Sequence, residues 1–129
     1  MNRKRVPLVR NHCTVLIGNG VPLSRILHLV STTALTAAGA HMILFTTGRG
    51  TPFGAPAPTL KIATTTPLAT KKANWVDFNA GAVADGEKTL DEAGADLLEL
   101  VIQTASGKQT SSERKGFREI SIFKDGVVL

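Results

Sequence analysis

Hydrophobic positions recur most regularly between residues 90 and 105. Leu90, Ala93, Leu97, Leu98, Val101 and Ala105 fall on one face at helical spacing, and Glu92, Asp96, Glu99 and Gln103 line the other. Thr89 and Glu92 stand at capping-box spacing, Asp91 and Glu92 favour the positive end of the helix dipole, and Gly107 stops the helix. Upstream, Ser31 as N-cap predicts a helix over 32–38 that ends at Gly39. Met42-Ile43-Leu44-Phe45-Thr46 is a continuous apolar run, the pattern of a parallel strand buried on both faces. Residues 60–64 predict a second strand and 67–73 a turn or short helix. Residues 75–79 alternate and stop at Ala80-Gly81. Residues 110–116 add a helical turn, and the alternation over 119–123 predicts a last strand.

Helix, buried strand, Gly-rich loop, strand, helix and strand together predict an α/β sandwich with a mostly parallel sheet flanked by helices. Ligands of such sheets bind at the carboxyl ends of strands, and Phe45-Thr46 running into a Gly/Pro loop is such an end. Residues 1–30 read less clearly. Residues 6–9 and 13–17 suit short strands, Gly18-Asn19-Gly20 is a turn signal, and 24–30 suits a strand or a helix start. The expected division is a basic, poorly ordered N-terminal segment over 1–30 and a folded unit over 31–129.

Composition narrows the function. The 129 residues carry a formal net charge of +5, which invites a nucleic-acid reading, but the distribution opposes it. Arg3, Lys4, Arg5, Arg10 and Arg25 stand before residue 31 with no acid among them, so the remaining 99 residues are neutral. One Trp and no Tyr leave no aromatic platform for stacking bases. Nucleic acid is therefore not an expected partner. A single cysteine, Cys13, makes neither a disulfide framework nor a zinc cluster. No apolar run approaches the roughly 20 residues a membrane helix needs, and no apolar stretch with a cleavage site follows the basic start. The expected location is cytoplasmic.

The loop Thr46-Thr47-Gly48-Arg49-Gly50-Thr51-Pro52-Phe53-Gly54 is the main chemical candidate. Glycines let backbone amides approach an anion, Arg49 can grip a carboxylate or phosphate with two parallel hydrogen bonds, and Thr46, Thr47 and Thr51 add hydroxyls. The bland reading is a corner-turning loop with Arg49 paired to an acid such as Asp77. The loop is neither a Walker A motif nor a Rossmann fingerprint. Asp77 and Asn79 form a second polar cluster, suited to a metal, a base, a partner for Arg49, or simply a turn. Lys61 is a lone cation in an apolar strand, able to reach a carboxylate or to snorkel from a sheet edge. His41 precedes the buried strand and suits a base, a ligand or a merely hydrogen-bonded residue. His12, His28 and Cys13 carry weaker signals.

The segment from Gly39-Ala40-His41-Met42 through Thr47-Gly48-Arg49-Gly50-Thr51-Pro52-Phe53-Gly54 resembles altronate and galactarate dehydratases. Pro58-Thr59-Leu60-Lys61-Ile62-Ala63-Thr64 and Trp75-Val76-Asp77-Phe78-Asn79-Ala80-Gly81 continue the resemblance. Asp85-Gly86-Glu87, the long helix and Ala105-Ser106-Gly107-Lys108 follow in order, over about residues 31–129. The resemblance implies a hydro-lyase that removes water from an aldonate or aldarate to give a 2-keto-3-deoxy acid, using a divalent metal, usually iron(II). A related branch eliminates sulfite from sulfolactate. The implied fold is a Rossmann-like parallel sheet. The expected substrate-binding residues are Thr46, Thr47, Gly48, Arg49, Gly50, Thr51, Lys61, Asp77 and Asn79; the chemistry of enediolate formation points to Arg49 for the substrate carboxylate, while the motif itself assigns no individual roles. Members are several hundred residues long, and this chain resembles their carboxyl-terminal portion. The expectation is a piece inactive alone, with metal ligands outside it and the amino-terminal part of the dehydratase as a separate partner chain. The alternative is a small anion-binding module without catalysis. Residues 1–30 lack the resemblance, and are expected to be either an unrelated translation from a broken gene or the new N-terminus of a short subunit.

Overall fold

A computed structural model describes residues 14–17 and 24–122, with side chains from residue 29 onward. Four strands form one sheet in chain order, all pairs parallel. They are β1 (Thr14–Ile17), β2 (Ile43–Thr47), β3 (Thr59–Ala63) and β4 (Phe78–Asn79). Helix α1 (Ser24–Ala37) joins β1 to β2, and α2 (Thr66–Lys71) joins β3 to β4. Then follow α3 (Gly81–Ala84), α4 (Leu90–Ala105) and α5 (Ser111–Arg114). The α/β architecture with a parallel sheet is as expected. The described strands follow chain order, without the reversal at which a doubly wound sheet changes direction.

The period-2 alternation of β2 divides the core. Ile43 and Phe45 point to one face, where they pack with Phe53, Ala55 and Ala57 of the following loop and with Leu29 and Leu35 of α1. Leu44 points to the other, where Leu60 and Ile62 of β3 join it against Leu97, Leu100 and Val101 of α4. A strand apolar on both sides is therefore continuous in sequence because helices cover both faces.

Helix α4 has the predicted bounds. The Thr89 hydroxyl accepts the Glu92 amide while the Glu92 carboxylate accepts the Thr89 amide, a complete capping box. Helix α1 starts seven residues before the expected Ser31 cap and closes as predicted. Gly39 at φ +99° lets the Ala40 amide reach back to the Leu35 carbonyl at 3.0 Å. Helix α1 and strand β1 thus draw part of the segment 1–30 into the sheet.

The alternation over 119–123 misled. Residues 119–122 form no strand; Phe123 lies outside the described residues. The Glu119 amide donates to the Gly54 carbonyl and the Ser121 amide to the Thr33 hydroxyl, so the segment is laid across the loop and α1 by isolated bonds rather than a ladder. The expected strand over 75–79 contracts to Phe78–Asn79.

Candidate functional site

The loop after β2 is held by its own groups. The Thr47 hydroxyl accepts the Gly50 amide at 2.9 Å and the Arg49 amide at 3.4 Å. The Lys72 ammonium donates to the carbonyls of Arg49 and Gly50 at 2.8 and 2.9 Å. Gly50 takes φ +69°, and a Cβ there would run into the Lys72 side chain. Two of the amides expected to cradle an anion thus close on Thr47 instead. What the loop presents is the Arg49 side chain, exposed and without an ion pair among the described residues. Thr46 and Thr51 flank it, both half-buried.

Asp77 does not pair with Arg49. One oxygen accepts the Lys61 amide at 2.8 Å and the other the Ser111 amide at 2.7 Å. Asn79 accepts the Gly81 amide and donates to the Thr66 hydroxyl, an Asx-type closure of the turn after β4. Both side chains therefore fasten backbone. Among the described residues no three His, Cys, Asp or Glu side chains converge, and His41 is exposed at the bend before β2. The donor set present does not compose a metal centre. Cys13, His12 and His28 lie outside the described side chains.

Lys61 departs most from an ordinary lysine. Strand β3 lies between β2 and β4, so Lys61 is not on an edge, and it is only 1% exposed. Its ammonium sits 5.7 Å from the Trp75 ring centroid and 5.9 Å from that of Phe117. Burial pushes its pKa down to about 8, with Lys115 pushing the same way and Asp77 and Glu119 opposing. Two more lysines share the indole, Lys115 at 4.6 Å and Lys72 at 5.8 Å. Lys72, Trp75, Lys115 and Phe117 were not sequence candidates. They come from two stretches of chain, 72–75 and 115–117, and only the fold brings these to Lys61 of β3.

On the opposite face, a pocket of about 190 Å³ opens between β3, α4 and α5. Its cations are engaged: Lys108 donates to the Gln103 side chain, and Arg114 to the Gln109 carbonyl and the Ser111 hydroxyl.

Residues 21–128 match the family described as D-galactarate/altronate dehydratase, C-terminal. The chain is 50% identical over 100 residues to altronate dehydratase of Escherichia coli K12, covering 78% of this chain and 20% of that protein. It is 40% identical over 99 residues to the galactarate dehydratase (L-threo-forming) of the same organism, covering 74% and 19%. It is 33% identical over 88 residues to the (2R)-sulfolactate sulfo-lyase subunit beta of Chromohalobacter salexigens, covering 67% and 23%. The chain spans about a fifth of the length of the curated relatives it matches. The family match begins at residue 21, so it takes in all of α1 and every element after it. The chain belongs to the D-galactarate/altronate dehydratase C-terminal family.

Proposed function

We propose that this chain supplies the carboxylate-gripping part of a metal-dependent hydro-lyase that dehydrates a sugar acid of the altronate or galactarate type to a 2-keto-3-deoxy acid. The observation that carries it is Arg49, an exposed guanidinium without an ion pair among the described residues, on a braced loop at the carboxyl end of a parallel sheet. Loss of the proton beside a carboxylate puts negative charge on its oxygens, and a guanidinium gripping that carboxylate stabilises the charge as it forms. Thr46 and Thr51 offer hydroxyls to the substrate. The divalent metal of the reaction, iron(II) in this reading, takes its ligands from outside the described residues.

Acting alone, the chain is inactive in this reading. The rest of a dehydratase, carried on a separate polypeptide, completes the site. Exposed Leu90, Leu98 and Ile102 on α4 support this, since an apolar stripe of that kind marks a surface that another chain covers. Among the described residues no helix is long and apolar enough to cross a membrane. A cytoplasmic location is part of the same proposed reading.

Calorimetric titration with altronate and galactarate tests the reading. Saturable binding lost in Arg49→Ala supports it; binding that survives the substitution, or none at all, refutes the role of Arg49. Robust turnover by the purified chain with iron(II) refutes inactivity. Binding without turnover when the amino-terminal part of a dehydratase is added favours the non-catalytic anion module instead.

A further inference from the structure

Buried charges in proteins are paired or hydrogen-bonded, because an isolated one is costly to desolvate. Lys61 lies close to that limit among the described residues. Its side chain is buried, yet no carboxylate stands within ion-pair distance of its ammonium. Of the two acids whose charge acts on it, Asp77 spends both oxygens on backbone amides, and Glu119 stands beyond ion-pair distance. The ammonium instead faces the rings of Trp75 and Phe117, which lie 6.1 Å apart and inclined at 53°. Lys115 brings a second positive charge to the same indole from the residue after α5, and Lys72 a third from the end of α2.

Three ammonium groups around one indole repel each other. Cation–π attraction offsets only part of that repulsion. Lys72 relieves its share by donating to two carbonyls of the loop after β2. Lys61 and Lys115 have no acceptor among the described residues. What would complete the arrangement is an acceptor with negative charge and several oxygens.

We propose that Lys61 and Lys115, both beside the Trp75 ring, form a binding site for a small oxyanion, a carboxylate or a phosphate, distinct from the Arg49 guanidinium. The site takes its ligand by charge and by hydrogen bonds from the two ammonium groups.

Trp75 is the only tryptophan in the chain, so its fluorescence reports on this place and on the Lys72 brace beside it. The full chain is titrated with sodium malonate and, separately, with sodium phosphate, each against sodium chloride at matched ionic strength. The expected result is a saturable change in Trp75 emission with at least one of them, and the more tightly bound identifies the oxyanion type. Lys61→Met and Lys115→Ala should each weaken that binding about tenfold or more, while Lys108→Ala on the opposite face leaves it within about twofold. Because Lys115 is exposed, its variant keeps the test sound if Lys61→Met folds poorly. No saturable change beyond chloride, or equal affinity in wild type and both variants, overturns the proposal. Either failure leaves the Arg49 reading standing, since that reading is decided by Arg49→Ala and a sugar acid.

Discussion

The Asp77 carboxylate accepts the Ser111 backbone amide at 2.7 Å, tying the approach to β4 to the first turn of α5 across 34 positions of chain. Its other oxygen accepts the Lys61 amide of β3. Replacing Asp77 with Ala strands two amides, one of them inside the sheet, and should cost about 3 kcal/mol. Asp77→Asn keeps one acceptor and should cost about half as much. Urea denaturation checks both. A loss below about 1 kcal/mol in the Ala variant would show that the clip contributes little.

Two glycines should respond to alanine with opposite signs. A Cβ on Gly54 would collide with the Phe117 carbonyl and crowd Ser112, so Gly54→Ala should destabilise by about 2–3 kcal/mol. Gly94 lies inside α4 with open space around its would-be Cβ, and Gly94→Ala should stabilise by about 0.5–1 kcal/mol. Thermal melts of the two variants against wild type decide the matter.

Lys61 gives stability a defined pH dependence. Its folded pKa of about 8 lies below the ordinary 10.5, because burial and Lys115 outweigh Asp77 and Glu119. Between those values the unfolded chain holds a proton that the folded chain has released, so stability rises with pH across that window. Below about pH 8 both states hold the proton and Lys61 contributes no slope. The full rise is on the order of 3 kcal/mol, and Lys61→Met should remove it. Urea midpoints at several pH values between 7.5 and 10.5 test this; a slope that persists in the variant belongs to another group.

On α4, Leu98 is 60% exposed and Ile102 51% exposed, one turn apart. Leu98→Glu with Ile102→Lys should change folding stability by no more than about 0.5 kcal/mol, because neither side chain is buried. Self-association of the isolated chain should fall. Light scattering against concentration is the measurement, and unchanged association would place the sticky surface elsewhere.

Local signals were legible where they were redundant. The capping box, the acidic first turn and the amphipathic period all bounded α4, and all were satisfied at once. The start of α1 was not, because Ile26, Leu27, Leu29 and Val30 are packed too densely in sequence to separate a helix from a strand. Residues 119–122 alternate as a strand does, yet whether they find a ladder partner depends on what lies beside them. The Arg49 loop could be singled out because its residues are contiguous. The convergence of Lys61, Lys72 and Lys115 on Trp75 could not, since it depends on how β3, the turn after α2 and the segment after α5 stack.

The Thr47 hydroxyl and the Lys72 ammonium settle the shape of the loop after β2 before any ligand arrives. Such a loop is preorganised. An anion meeting it would have to immobilise little beyond the Arg49 side chain, an entropic penalty of about 0.5–1.5 kcal/mol, rather than order a whole segment. Weakening the brace, by Lys72→Met or Thr47→Val, would therefore reach the ligand as a slower, weaker capture while leaving every ligand-facing group in place.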